Sequence, residues 1–172
     1  MPVYALGEHV PDIHPDAWIH PDAVVIGRVT IGARSTVWPT AVLRGDHGEI
    51  RVGEGTSIQD GTVVHCTAAL PTLIGSRCVV GHRAHLEGAT VEDDCLIGSG
   101  SVLLHRVVVR SGALVGAGAV VSPGTEVPAR AMALGVPARI RLDAVEPGAF
   151  DEAVALYLAD GPLYRDSMRR ID

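Results

Sequence analysis

The residues that most readily suggest chemistry are two histidines and one carboxylate. His65, His82 and Glu87 fall within one short stretch of the 172-residue chain. Two imidazoles and a carboxylate are sufficient to hold Zn²⁺ with a fourth position open to water, and the same donors suit Fe²⁺ or Co²⁺. Histidines are also ordinary surface residues, so whether these three can meet depends on the elements that carry them.

A six-residue repeat runs through most of the chain. The sequence at 13–17 is repeated at 19–23, and apolar residues then continue at every sixth position. Extra residues around 47–49 and 67–71 and one missing residue before position 91 interrupt this spacing. Because residues i and i−2 of a strand point to the same side, each hexad predicts a short strand followed by a turn. The apolar positions are Ile13, Ile19, Val25, Ile31, Val37, Leu43, Val52, Ile58, Val64, Ile74, Val80, Leu86, Val91, Ile97, Leu103, Val109, Val115, Val121, Val127 and Ala133.

These hexads predict an all-β solenoid. One unit is too small to bury its own apolar side chains, so the units must stack, and three per coil give a triangular prism. Aromatic residues make up only 3% of the chain, as expected for an interior with room for Val and Ile but little for Phe. Trp18 and Trp38 fall at outward positions, where we expect a partner subunit to cover them.

The repeat also predicts which side chains meet outside the prism. The residue after each apolar position points outward, and every third hexad lies on the same face, with adjacent coils about 4.8 Å apart. One outward column then holds Arg44, His65 and Glu87, so His65 and Glu87 would be close enough to share an ion. His82 lies at a different edge, where an adjacent prism would have to bring its own copy in.

Three short segments carry a family resemblance. The sequences LRGD at 43–46, IQDGTVVH at 58–65 and VGH at 80–82 resemble the γ-class carbonic anhydrase and ferripyochelin-binding-protein-like family of hexapeptide-repeat proteins. This resemblance extends over about residues 10–140 and implies a left-handed parallel β-helix. It also implies a homotrimer with metal sites at the subunit interfaces, and reversible hydration of CO₂ to bicarbonate by metal-bound hydroxide.

The resemblance assigns roles to individual residues. His65 matches a metal ligand, His82 matches the ligand supplied by a neighbouring chain, and Gln59 matches the residue that orients metal-bound water. The residues that match interface and proton-network positions of the family are Arg44, Asp46 and Asp60. On their types alone, Arg44 with Asp46 also suits a simple ion pair, and Gln59 with Asp60 also suits a turn cap.

The chain departs from the family at the third ligand. Glu87 stands where the family has a histidine, while His85 lies two residues earlier and also points outward. Either Glu87 is a ligand, or His85 replaces it, or the site holds no metal. A carboxylate in place of an imidazole makes the metal a weaker Lewis acid. The acidic loops of the family are absent, which leaves His47 or Glu49 as candidates for proton relay.

Composition excludes several other functions. The net charge is −6, from 14 Lys and Arg against 20 Asp and Glu, which argues against a nucleic-acid partner. No apolar run reaches the ~18–20 residues that span a bilayer, and the N-terminus does not resemble a signal peptide. Three cysteines without CxxC spacing argue against a disulfide framework. We therefore expect a soluble cytoplasmic protein without a membrane partner.

The repeat stops after Arg139, which predicts a β-helix domain at 1–139 and a C-terminal helical segment at 140–172. Helical spacing of apolar residues predicts a helix within 147–159, a break at Gly161 and Pro162, and a second short helix after it. We expect this segment to pack along the prism or on a neighbouring subunit.

Two other functions fit the same repeat. A hexapeptide acyltransferase would use a histidine as general base, with acyl-CoA lying between prisms. Such enzymes usually carry that histidine on an extended loop, whereas this chain has only short excursions from the repeat. A non-catalytic trimer, structural or binding a metal complex, would be the outcome if Glu87 marks a loss of activity.

Overall fold

The computed structural model describes residues 2–172, and within them it contains twenty strands followed by one helix. Most strands are two or three residues long, as a six-residue unit requires. The strands are β1 (Val3–Tyr4), β2 (Asp12–Ile13), β3 (Trp18–Ile19), β4 (Val24–Ile31), β5 (Thr36–Val37), β6 (Val42–Val52), β7 (Ser57–Ile58), β8 (Val63–His65), β9 (Thr72–Ile74), β10 (Val79–Val80), β11 (His85–Glu87), β12 (Thr90–Val91), β13 (Leu96–Ile97), β14 (Val102–Leu103), β15 (Val108–Val109), β16 (Leu114–Val115), β17 (Val120–Val121), β18 (Glu126–Val127), β19 (Met132–Leu134) and β20 (Arg139–Arg141), and the helix is α1 (Asp151–Ser167).

The strands form three parallel ladders that wind into a prism. Face one consists of the first halves of β4 and β6 followed by β8, β11, β14 and β17, and face two of their second halves followed by β9, β12, β15 and β18. Face three consists of β3, β5, β7, β10, β13, β16 and β19, with β20 added antiparallel at its end. The predicted left-handed parallel β-helix with a C-terminal helix is confirmed.

The repeat positions form the interior. Every apolar position from Val25 to Ala133 is buried, while Ile13 and Ile19 on the first coil are partly buried. The small residues two places earlier line the corners, where Ser35 and Thr56 donate their hydroxyl hydrogens to backbone carbonyls. All three cysteines are free and buried, so they act as small core residues.

The first insertion in the repeat is a bent strand. β6 runs without interruption from face one to face two, and its pairing with β4 shifts register between Gly27 and Val29. The extra residues at 47–49 therefore belong to a strand and do not form a loop. The second insertion, at 67–71, does form a short loop at the same corner. Both insertions therefore widen one corner, and β6 carries Arg44 and Asp46 towards it.

The predicted break in the C-terminal helix is wrong. α1 continues through Gly161 and Pro162 to Ser167. A Cβ atom at Gly161 would lie 3.2 Å from the Thr36 side chain, so the glycine allows close approach of the helix to face three. Arg165 holds the far end by donating a 2.9 Å hydrogen bond to the Asp16 carbonyl. Tertiary packing thus overrides the local preference of a Gly–Pro pair.

This helix, rather than a partner subunit, covers the tryptophans. The ring of Tyr164 lies 5.3 Å from Trp18 and 4.9 Å from Trp38, centroid to centroid, and Tyr157 lies 5.9 Å from Trp38. Each tryptophan is 7% exposed. The helical segment therefore packs on the prism of its own chain. Within residues 2–172, no helix is both long and apolar enough to cross a membrane.

Candidate functional site

His65 and Glu87 meet on face one, as the repeat predicts. Each is the last residue of its strand, and the register of β8, β11 and β6 places His65 between Glu87 and Arg44. His65 Nδ1 lies 3.0 Å from Glu87 Oε1. Their side chains are 15% and 25% exposed, so the pair is partly shielded from water.

Asp46 occupies the other side of the same imidazole. His65 Nε2 lies 3.0 Å from Asp46 Oδ1, and Arg44 forms an ion pair with Asp46 Oδ2. The bent strand β6 makes this contact possible because it carries Asp46 round the corner beside His65. Both ring nitrogens of His65 therefore have a carboxylate partner within the chain.

The two carboxyl groups are ionised at neutral pH. Burial raises the pKa of Glu87, but interactions with His65 and then His105 outweigh it, and the pKa is lowered overall. Burial likewise raises the pKa of Asp46, while hydrogen bonds with His65 and Arg44 bring it below its ordinary value. His65 thus lies between two anionic groups, which is an environment suited to a cation.

Two further imidazoles contact Glu87. His85 Nε2 lies 3.5 Å from Glu87 Oε2, and His105 Nε2 lies 3.6 Å from Glu87 Oε1. His105 is not among the residues that the sequence predicts for this site. The repeat nevertheless indicates where His105 lies. Gly88 follows Leu86 by two residues, as His105 follows Leu103, and Leu86 pairs with Leu103, so His105 is on the coil directly above the Glu87 turn.

His82 lies apart, at the edge between faces three and one. Its Nδ1 is 2.9 Å from Asp60 Oδ2, and the side chains are 54% and 45% exposed. The pair lines an open cavity of about 600 Å³, together with Thr40, Arg83 and Ser99. Since Asp60 engages Nδ1, Nε2 is the nitrogen that remains for another partner.

Gln59 lies one coil below Gly81 and is only 4% exposed. The helix α1 reaches it through Tyr157, which also packs on Trp38. Burial raises the pKa of the Tyr157 phenol, with the charges of Asp160 and Asp60 acting the same way, while a hydrogen bond with Gln59 opposes the shift. The C-terminal helix therefore contacts a residue of the candidate site.

The two proposed relay residues differ. His47 is exposed, with Nε2 3.8 Å from Asp46 Oδ2 and its ring 6.4 Å from that of His65. Glu49 instead accepts hydrogen bonds from Arg51 and points along face two. Of the two, only His47 adjoins the candidate site.

The donor set of one chain is incomplete for a metal ion. Among residues 2–172, no group of three or more His, Cys, Asp or Glu converges to hold a metal within a single chain. The 3.0 Å between His65 Nδ1 and Glu87 Oε1 nevertheless suits two ligands of one tetrahedral ion, which are about 3.3 Å apart at metal–ligand distances of about 2.0–2.1 Å. These two donors are fewer than the four ligands that a tetrahedral ion takes, and His82 lies apart from them.

Comparisons with known proteins find relatives that share the hexapeptide repeat. The family model "Bacterial transferase hexapeptide (six repeats)" matches residues 11–45 and 88–123. Gamma carbonic anhydrase 2, mitochondrial, of Arabidopsis thaliana is 45% identical over 135 residues, which are 75% of this chain and 49% of the plant protein. The carnitine operon protein CaiE of Salmonella agona is 36% identical over 140 residues, which are 81% of this chain and 71% of CaiE.

A solved structure extends the similarity to nearly the whole chain. The crystal structure of a hexapeptide transferase family protein from Anaplasma phagocytophilum superposes with a TM-score of 0.89 at 31% identity, covering 97% of this chain and 98% of that one. This chain spans about half the length of its plant relatives. The hexad-built prism and these similarities show that the chain belongs to the γ-carbonic-anhydrase-like family of hexapeptide-repeat proteins.

Proposed function

We propose that this protein is a γ-class carbonic-anhydrase-like trimer that binds Zn²⁺, or alternatively Fe²⁺ or Co²⁺, and hydrates CO₂ reversibly. His65 and Glu87 of one chain would hold the ion together with His82 of the partner subunit. The observation that carries the proposal is the 3.0 Å contact between His65 and Glu87 on adjacent coils of face one. The bound ion would supply the Lewis acidity that makes water a nucleophile towards CO₂ at neutral pH.

The chain's own residues would prepare the donors. Asp46 engages His65 Nε2, so Nδ1 is the nitrogen that would bind the same ion as Glu87. Asp60 engages His82 Nδ1 and so fixes the tautomer that presents Nε2. Such carboxylate–histidine pairs orient metal ligands and raise their basicity. His47, exposed beside Asp46, is placed to carry protons to solvent.

The surface of face one supports the trimer. Its outward residues include Val24, Val42, Val63, Val102 and Val120, and Val63 is 38% exposed in the single chain. A flat apolar column beside half of a donor set is suited to burial against a second copy that supplies the other half. The proposed metal sites would therefore lie between subunits.

Metal analysis and stopped-flow CO₂ hydration test the proposal. We expect wild type to contain metal and Glu87→Ala to lose it, because the variant lacks one donor. Glu87→His should retain the metal and hydrate CO₂ at least as fast, since an imidazole makes the ion a stronger Lewis acid than a carboxylate does.

His85→Ala tests whether Glu87 or His85 is the metal ligand. We expect it to keep its metal, and release of the metal from this variant alone would transfer the ligand role to His85. Wild type that takes up no metal after reconstitution would contradict the metalloenzyme and leave a structural trimer.

An acyltransferase is the second candidate, because the Anaplasma structure carries a transferase name and superposes over nearly the full chain. A histidine between prisms would then act as general base towards an acceptor hydroxyl or amine. A rise in thermal stability with acetyl-CoA and none with Zn²⁺ would favour this candidate. The location in the cytoplasm stays a prediction.

A further inference from the structure

The carboxylate of Glu87 is held by three imidazoles that divide its two oxygens between them. Oε1 contacts His65 from the coil below at 3.0 Å and His105 from the coil above at 3.6 Å, while Oε2 contacts His85 of the same strand at 3.5 Å. The oxygen that faces His65 is therefore the one that His105 also touches.

The His105 ring is seated by the turn that follows Glu87. The backbone N–H of Arg106 donates a 2.7 Å hydrogen bond to the carbonyl of Gly88, which stacks the two turns. Gly88 has a φ of +60°, and a Cβ atom there would lie 3.2 Å from His105 Cδ2 and 2.9 Å from Leu70 Cβ. The bare glycine thus leaves the space in which the imidazole lies.

His85 is less suited to the same role. It contacts Oε2 and not the Oε1 that lies against His65, and it sits in the outward valine column between Val63 and Val102. Removing its ring leaves both contacts of Oε1 in place. Loss of the His105 ring, in contrast, leaves His65 as the one imidazole against Oε1.

We propose that His105 is a positioning residue that holds the Glu87 carboxylate against His65. This inference rests on the proposed function, because the consequence of holding Glu87 is a preset pair of metal donors. Residues that orient a ligand from outside the coordination sphere typically change metal affinity by about 10–100-fold when they are removed.

The experiment compares His105→Ala, His105→Gln and the matched control His14→Ala. His14 is an exposed histidine on the first coil that pairs locally with Asp16, so its loss should change neither measurement. The first readout is Zn²⁺ affinity by competition with a chromophoric chelator. The second is the position of Glu87 in crystal structures of the metal-free variants, and thermal unfolding verifies that each variant is folded.

We expect His105→Ala to bind Zn²⁺ about 10-fold or more weakly, with Glu87 withdrawn from His65. His105→Gln keeps an N–H donor towards the carboxylate and should recover most of the affinity and the contact. If Glu87 stays against His65 in His105→Ala, the inference is overturned even when wild type binds zinc. If wild type binds no zinc but Glu87 moves in His105→Ala, the inference stands and the proposed function fails.

Discussion

Faces one and two are built from the same hexads around the same interior, yet their outer surfaces differ. Face one presents valines together with His65 and Glu87. Face two presents an ion-pair network in which Arg110 contacts both Glu92 and Glu126 at 2.7 and 3.0 Å. Inward residues determine the fold of both faces, and outward residues determine what each face can meet. The contrast is the reason why we propose face one, and not face two, as the functional surface.

The largest expected effect is on assembly. Val63→Lys places a charge in the apolar column of face one, and burying it without a partner costs about 3–5 kcal/mol, so we expect the proposed trimer to dissociate towards monomers. Val108→Lys is the control, since Val108 is the equivalent outward residue on face two, next to Glu126. Light scattering after gel filtration measures the mass. A trimer that survives Val63→Lys but not Val108→Lys would reverse the assignment of the faces.

A second comparison concerns the interior, which the two faces share. Leu86 on face one and Ile74 on face two are 0% and 3% exposed, so truncation to alanine should lower the free energy of unfolding by about 2–5 kcal/mol at either position. Urea unfolding measures both. A large loss of unfolding free energy at one position and almost none at the other would show that the two faces also differ in their interior packing.

The smallest expected effect depends on pH and belongs to face two. Hydrogen bonds from Arg110 and from the Ser111 backbone lower the pKa of Glu92. A carboxyl with a lowered folded-state pKa stabilises the fold above its unfolded pKa, about 4.3, and loses that contribution as pH falls through the folded value.

We therefore expect Glu92→Gln to be less stable than wild type by at most about 1 kcal/mol at pH 7, with the difference disappearing once the pH falls below the folded-state pKa of Glu92. Urea unfolding across this pH range, with and without added salt, measures it. A difference that grows towards low pH would contradict the stabilising role of the Arg110 network.

The hexads predict the prism because every unit must bury an apolar residue at the same position. This regular spacing can be seen directly in the sequence. The same periodicity placed His65 beside Glu87 and Gln59 below Gly81. The apolar periodicity does not single out His105, because His105 is a turn residue, and turn residues stack from coil to coil without an apolar signal. The contact of Asp46 with His65 was likewise unforeseen, since it depends on how β6 bends through the corner.

The C-terminal region was harder to predict because its conformation is decided by packing. Gly161 and Pro162 signal a break locally, but the contact with face three holds α1 in one piece. Nothing in the repeat distinguishes a face that the chain covers itself from one that a partner covers. The tryptophans were therefore assigned to the wrong neighbour.

That placement gives the protein a built-in optical probe. Trp18 and Trp38 are its only tryptophans, and the Trp38 indole N–H donates to Thr36 and Ser57 beneath α1. Intrinsic fluorescence should therefore report the docking of the helix and remain constant when subunits separate along face one. Emission that shifts to the red on unfolding, with no change on dilution, would separate folding of the chain from its assembly in a single cuvette.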